Sequence, residues 1–344
     1  GENCPSPSVF AMKVIVTGGS GFIGGRVVRR LLENGHEVHV LGRTTPKEES
    51  GSAFHQVDLA RETIPEVICK GADAVFHIAA KAGIWGSASS YHAANVLATR
   101  QVLEVCRTHR INILIHTSSP SVVFSGEPFR GADESLPYGS NWLGHYARTK
   151  AEAEREVLGA NGKNGLRTLA LRPHLVWGPG DPHLLPKAIA RHMAGKLRIV
   201  GSGENRMDLT HVDNVAHAHI LALDTLASGH HSGGQAYFIS QDDPVALWKW
   251  LNHLFSHLDL PPLSKKVSFR SAYSLGFMLE LTWKVLRLTG EPPMTRFVAV
   301  QLAKDHWFSI DAARRDLGYE PIVSMEDGLR DTVDWLKTSV KGLG

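Results

Sequence analysis

Residues 13–25 read KVIVTGGSGFIGG, and the fold follows from them. Val14, Ile15 and Val16 form a short β-branched run, as expected of a buried parallel strand. Gly18, Gly21 and Gly24 then recur at three-residue spacing, and residues 22–32 continue with helical apolar periodicity. A strand that turns sharply into a helix aims unpaired backbone N–H groups past the strand end, where the helix dipole favours a pyrophosphate. Gly18 permits the tight turn, Gly21 lets the backbone approach the phosphates, and Gly24 lets the helix pack close to the strand. The stretch predicts a dinucleotide-binding βα unit at the head of the chain.

Strand and helix keep alternating beyond it. Strands are expected at 37–41, 53–57, 73–78, 111–117 and 166–171, with helices at 22–33, 89–108 and 143–158. Helical crossovers between strands call for a doubly wound parallel sheet. After Arg172 the pattern changes: GPGDP (178–182) and GSG (201–203) are loop clusters, 211–223 reads as a helix and 236–239 as a strand. Residues 245–344 are largely helical and apolar. The expected fold is α/β, a Rossmann-type sheet with a smaller, mostly helical substrate-binding lobe. The nucleotide domain spans 12–175, with 211–244 returning to it, and the lobe is made by 176–210 and 245–344. Residues 1–11 read as a disordered leader before Met12.

Composition narrows the class. In 344 residues, charged content of 21% and hydrophobic content of 43% suit a soluble enzyme, and a net charge of +3 spread along the chain does not imply nucleic acid. Cys4, Cys69 and Cys106 are too few and too dispersed for a disulfide framework or a zinc site, which fits the cytoplasm.

The second strand ends LGRTT (41–45), with no acid where NAD enzymes hold the ribose 2′-OH. Arg43 can pair with a 2′-phosphate through its planar fork, so NADP(H) is the expected cofactor. Asp58, followed by Leu59, reads either as an acceptor for the adenine amine or as a helix-start aspartate.

YARTK (146–150) lies on an expected helix, where i,i+4 spacing puts Tyr146 and Lys150 on one face. A phenol with a reference pKa of roughly 10 handles protons poorly near neutrality, and a neighbouring ammonium is expected to lower that value. The preceding strand ends Thr117-Ser118-Ser119, which supplies a hydroxyl to hold a carbonyl oxygen beside the phenol.

With TGGSGFIG (17–24), HIAA (77–80), Asn95, Ser118-Ser119, Tyr146…Lys150 and LRP (171–173), the chain resembles the extended short-chain dehydrogenases/reductases from Met12 to about Ser240. The resemblance implies that Tyr146 is the acid/base, that Lys150 tunes it and binds the nicotinamide ribose, and that Ser119 orients the substrate oxygen. Ser118 and Ser121 remain alternatives to Ser119. It carries the cofactor along Gly18, Ser20, Gly21, Phe22, Ile23, Gly24, Ala79, Ala80 and Lys81, and along Asn95, Thr117, Pro173 and Val176. Val123 stands where sugar-nucleotide epimerases of this group usually have Tyr, and His174 is unusual after the Arg-Pro. Helices 89–108 and 143–158 build the dimer in many such enzymes, so a homodimer is implied.

A narrower likeness rests on AAKAGIWG (79–86), HY (145–146), VWGPGD (176–181), HLLP (183–186) and GEPPMTRF (290–297). These resemble the bacterial 2-alkyl-3-oxoalkanoate reductases of long-chain olefin biosynthesis, relatives of the 3β-hydroxysteroid and sterol-4α-carboxylate 3-dehydrogenases. The implied reaction is NADPH-dependent reduction of a β-keto acid carrying two long alkyl chains. The hydroxy acid formed would pass to a β-lactone synthetase, and a complex with the pathway's enzymes is an expectation of the same kind. Lys81, Arg148, Arg172 and Arg206 are candidates for its carboxylate, and Lys81 equally for the cofactor phosphates. Trp85, Ser121 and His174 join Ser119 as candidate substrate contacts, with a packed core tryptophan the rival reading of Trp85. Steroid oxidation and NADP binding without turnover are the competing functions.

Residues 271–288 are the most hydrophobic stretch, interrupted by Glu280, Lys284 and Arg287 before any run nears the ~20 residues of a membrane span. They read as an amphipathic helix with a narrow polar stripe. It would pack within the lobe, wall the alkyl chains, or touch a membrane or partner. His253 and His257 are i,i+4, but no third ligand lies at metal-motif spacing, so no metal is expected.

Overall fold

The computed structural model describes residues 11–46, 51–140 and 142–339. All but the last residue of the expected leader lie outside them. The chain begins with β1 (Lys13–Thr17), α1 (Phe22–Glu33), β2 (Glu37–Gly42), β3 (Ala53–Gln56), α2 (Glu66–Cys69) and β4 (Ala74–His77). Next come α3 (Ala88–Tyr91), a π-helical stretch His92–Leu97 and α4 (Ala98–His109), then β5 (Ile113–Thr117) and a 3-10 turn Pro120–Val123. The chain continues with β6 (Phe129–Ala132), α5 (His145–Gly159), β7 (Arg167–Pro173), β8 (Val176–Trp177), α6 (Leu184–Met193), β9 (Ile199–Val200), β10 (Arg206–Met207) and β11 (Thr210–His211). It then runs through α7 (Val212–Ala227), β12 (Gln235–Ile239), β13 (Val245–Ala246), α8 (Leu247–His257), β14 (Lys266–Val267) and α9 (Phe269–Val285). The last elements are α10 (Arg296–Ala303), β15 (His306–Phe308), α11 (Asp311–Leu317) and α12 (Met325–Ser339).

Seven parallel strands form the central sheet in the order β12-β7-β5-β4-β1-β2-β3. The order reverses between β1 and β4, so the crevice beyond their carboxyl ends is where such a sheet receives its ligand. The β-branched and aliphatic residues of β1, β2, β4 and β5 are buried on both faces, as sheets covered by helices on each side require. One face packs on α1 and α7 through Val27, Leu31, Ala218 and Leu223; the other packs on the α4 side through Val102 and Cys106.

A second core surrounds Trp177, Trp248, Trp250 and Leu254, and α12 closes it with Leu329, Val333 and Leu336. Two features depart from the expected lobe. A four-stranded sheet, β13-β10-β15-β6, joins four distant short strands. These strands are two to four residues long, too short for a periodicity signal. In addition, α11 packs on α7 and β12, and Ile310, Ala313, Leu317 and Tyr319 enter the core of the parallel sheet. That part of 245–344 therefore belongs with the nucleotide-binding sheet and not with the lobe. Among the described residues, no helix is long and apolar enough to cross a membrane.

Candidate active site

The glycine turn after β1 is set by contact distances that only glycine meets. Gly18 has φ +71°, and a Cβ there would lie 2.8 Å from the Ala79 backbone nitrogen. A Cβ on Gly24 would lie 2.1 Å from the Gly18 carbonyl oxygen, so α1 starts in contact with the turn. Gly21 precedes the helix, no side chain caps it, and its first turn holds no acid. The first-turn N–H groups at Phe22, Ile23 and Gly24 thus keep their capacity to bind an anion. This cradle fits a dinucleotide pyrophosphate. Ser20 lies beside the end of β2, where a Cβ on Gly42 would meet its Oγ at 2.8 Å.

Arg43 is exposed just past β2; its carbonyl accepts from Gln56 Nε2 at 3.2 Å, and its guanidinium has no partner among the described residues. Asp58 Oδ1 accepts the Ala60 amide at 3.1 Å, the contact expected of a turn-starting aspartate, and Leu59 is buried. Ala79, half-buried, donates its amide to the Thr17 carbonyl, and Ala80 is exposed.

At the end of β5, Ser119 caps the 3-10 turn, its Oγ accepting the Ser121 amide at 3.2 Å. Its hydroxyl also stands close enough to the Tyr146 phenol to ease that group's ionisation. Of the three candidate serines it is therefore Ser119 that meets Tyr146, whereas the Ser118 and Ser121 hydroxyls are buried without a protein partner. Tyr146 lies in the first turn of α5, and Lys150 stands one turn on. The Lys150 ammonium donates to the Thr117 carbonyl at 2.5 Å and to His116 Nε2 at 3.4 Å. Burial draws Lys150 down to about 8. Burial also holds His116 neutral, with the Lys150 charge adding to the effect, so its Nε2 can accept.

Here the structure corrects one expectation. Burial raises the Tyr146 phenol above its ordinary value, and only the Ser119 hydroxyl opposes this. The Lys150 charge is directed at the Thr117 carbonyl and does not offset the desolvation.

Asn95, in the π-helical stretch, ties the site together. Its Oδ1 accepts the Lys81 amide at 2.7 Å, and its Nδ2 donates to the Lys81 carbonyl at 3.2 Å and Thr149 Oγ1 at 3.0 Å. It thereby fastens the 81–86 loop to α5. Lys81 Nζ bonds Ser90 Oγ at 2.9 Å and lies over the Tyr91 ring. In the same loop, the half-buried Trp85 offers its carbonyl to Tyr91 Oη. Pro173 ends β7 beside Ile239, and Val176 pairs with Thr210.

Two candidates are packed away. Arg172 is buried in a bidentate pair with Glu154 at 2.5 and 3.0 Å, and Tyr138 Oη donates to the same carboxylate at 2.8 Å. The Arg172 Nε and Nη2 donors are thereby committed to Glu154, while its Nη1 is buried without a protein partner. The His174 ring is buried against His306 and Phe308, and burial drops it to about 3. Arg148 leans on Glu152 at 3.5 Å, and Arg206 reaches the Pro244 carbonyl.

A layer of buried histidines under the site went unremarked in the sequence. His77 bridges Thr17 and Thr99 Oγ1 at 2.8 and 2.9 Å, and His219 Nε2 bonds Thr117 Oγ1 at 2.7 Å. His77 and His116 stand in register on β4 and β5, and aligning those two strand ends would have paired them.

The comparisons agree with this architecture. A family model described as "3-beta hydroxysteroid dehydrogenase/isomerase family" matches residues 15–270. The chain belongs to that family. It is 47% identical to a 2-alkyl-3-oxoalkanoate reductase of Stenotrophomonas maltophilia, over 93% of this chain and 98% of that one. It is 34% identical to the mouse decarboxylating sterol-4-alpha-carboxylate 3-dehydrogenase, over 94% and 90%. A solved complex of MoeE5 with UDP-glucuronic acid and NAD superposes with a TM-score of 0.73 at 25% identity, over 95% and 100%. This member of the 3-beta hydroxysteroid dehydrogenase/isomerase family is an oxidoreductase of the extended short-chain dehydrogenase/reductase type, with a Rossmann-type nucleotide site.

Proposed function

We propose that this chain is an NADP(H)-dependent reductase of the 3-keto group of long-chain 2-alkyl-3-oxoalkanoic acids, forming the 2-alkyl-3-hydroxy acids of hydrocarbon biosynthesis. The observation that carries the chemistry is the placing of Ser119 beside Tyr146 just past the end of β5, with Lys150 one turn behind. The substrate class rests on the 47% identical relative of that name. The sterol relative's name describes an oxygen at C3 beside a carbon bearing a carboxylate, the same β relationship as in a 3-oxo acid.

When bound along the glycine turn, the dinucleotide supplies the hydride that reduces the carbonyl carbon. Tyr146 Oη holds the proton for the carbonyl oxygen, and Ser119 Oγ orients that oxygen between them. The burial that raises the phenol keeps it protonated at neutral pH, the form a reduction needs. Lys150 has used two N–H donors on Thr117 and His116, leaving one for a ribose hydroxyl. Arg43 would take the 2′-phosphate. Lys81 is our choice for the substrate carboxylate: no acid pairs with it, and Asn95 holds its loop against α5.

The test is NADPH oxidation with a synthetic 2-alkyl-3-keto acid alongside a panel of 3-hydroxysteroids, each with both nicotinamides. Tyr146→Phe should abolish turnover and leave cofactor affinity unchanged. Turnover kept in that variant removes the phenol's role, and activity confined to steroids removes the substrate class.

A further inference from the structure

Under the site, two buried histidines on neighbouring strands have unequal surroundings. His77 of β4 and His116 of β5 are register partners, with ring centroids 5.3 Å apart. The protons around His77 can be placed, because a hydroxyl carries only one. Thr99 Oγ1 donates its proton to the Asn95 carbonyl at 2.7 Å, so it can only accept from His77 Nε2 at 2.9 Å. His77 Nδ1 is then bare and accepts from Thr17 Oγ1 at 2.8 Å. Both nitrogens are satisfied, and the ring ties β1 to α4. His116 has one side-chain partner, Lys150 Nζ, 3.4 Å from its Nε2, and its Nδ1 finds none among the described residues. A phenyl ring would fill the same space without burying an unpaired nitrogen. What the imidazole adds is a lone pair directed at the amine.

The Lys150 ammonium has three N–H donors on a flexible four-carbon stem. One goes to the Thr117 carbonyl at 2.5 Å, and that bond alone leaves the other two free to turn about it. A second acceptor fixes them. Among the described residues, His116 is the only side chain that accepts from the amine. The other groups facing it do not take this role. Glu154, one turn further along α5, is committed to Arg172 of β7 and to Tyr138. His77 on β4 stays neutral and is held by Thr17 and Thr99. His219 of α7 is neutral too and bonds the Thr117 hydroxyl on the opposite face of β5. Tyr146 lies one turn earlier on α5. We propose that His116 is a positioning residue: its neutral Nε2 fixes the Lys150 ammonium against β5 and leaves the third N–H for a ribose hydroxyl of the dinucleotide.

The same contact favours the charged amine. Burial draws Lys150 down to about 8, and a lone pair on one of its protons opposes that pull. Loss of the acceptor would discharge the amine at a lower pH. This role of His116 rests on the reading of Lys150 as the ribose ligand, and it does not depend on which carbonyl compound is reduced.

The experiment compares the unaltered protein with His116→Phe, which keeps a ring and removes the acceptor, and His116→Gln, whose side-chain carbonyl restores one. Binding of NADPH and of NADH is followed by fluorescence titration from neutral to alkaline pH, without substrate. His116→Phe should weaken both nicotinamides alike by roughly tenfold, the scale of one hydrogen bond to a charged group. The pH at which affinity is lost should move down by about one pH unit. His116→Gln should recover most of both effects, which a purely structural role would not allow. In the unaltered protein without cofactor, nitrogen NMR shifts of His116 at neutral pH should show a bare Nε2 and a protonated Nδ1. Those shifts decide the matter even should His116→Phe fail to fold, which thermal midpoints would reveal. An unmoved pH limb in His116→Phe, equal losses in the two variants, or a proton on Nε2 each overturns the role. A protein that reduces no keto acid, or that keeps turnover in Tyr146→Phe, loses the proposed reaction and leaves these binding readouts standing.

Discussion

Tyr146 and Lys150 share a helix face, and burial drives their proton affinities apart, the phenol up and the amine down to about 8. Above that value Lys150 sheds its charge while the phenol keeps its proton. The reductive kcat/KM should therefore be flat near neutrality and fall as pH rises past about 8, read from a pH–rate profile with cofactor saturating. Arg43→Ala should weaken NADPH binding far more than NADH binding in fluorescence titrations, because only the former loses a phosphate partner; equal losses would remove the arginine's role. Arg172 belongs to stability. Arg172→Met leaves Glu154 buried without its cation and should cost about 3–5 kcal/mol in denaturant unfolding. Tyr138→Phe, which removes one bond to the same carboxylate, should cost roughly 1 kcal/mol.

Within α1, two adjacent glycines have opposite reasons to be there. A Cβ on Gly24 would overlap the Gly18 carbonyl, whereas one on Gly25 would sit 3.7 Å from the Gly19 carbonyl, an ordinary contact. Gly24→Ala should push the helix off the turn and lose both stability and dinucleotide binding. Gly25→Ala should raise stability by about 0.5–1 kcal/mol, the usual gain for filling a helix interior. Thermal midpoints with and without cofactor separate the two. Helix ends elsewhere are set as expected: Asp181, read only as part of a loop cluster, accepts the amides of His183, Leu184 and Leu185 and starts α6.

At the scale of the molecule, five buried histidines stay neutral in the fold: His77 and His174 at about 3, His219 and His306 at about 4, and His116 also well below its ordinary value. In every case desolvation is the leading cause. Each is a base whose proton affinity is lower folded than unfolded, so below pH ~6.5 the unfolded chain takes up protons that the fold refuses. For the four rings at about 3 or 4, the stability lost by pH 5 is on the order of 2 kcal/mol each. Together they are comparable with the whole stability of an ordinary domain, about 5–15 kcal/mol. The thermal midpoint should drop between pH 7 and pH 5, with Asp208, which burial raises to about 7, opposing part of the loss because the fold takes up its proton first. A midpoint unchanged over that range would show that these rings accept protons in place.

Local pattern by itself determined the parallel sheet and the glycine turn and put Tyr146 and Lys150 on one helix face, because each is written in a short run with a plain period or spacing; among Ser118, Ser119 and Ser121 it made no choice. The expected strands and helices from 13 to 173 keep close to their expected boundaries for that reason, whereas the four-residue α2 and β6 had no expectation to meet. Tertiary structure alone decided the direction in which Tyr146 titrates, the engagement of Arg172 with Glu154, the four-stranded sheet made of fragments, the return of α11 to the nucleotide side, and the burial of Glu280 of α9 against the start of α10. Each of these turns on which distant residue supplies a charge, a hydrogen bond or a buried surface. Periodicity shows that a helix has two faces; only the packing of α10 shows which of them meets water.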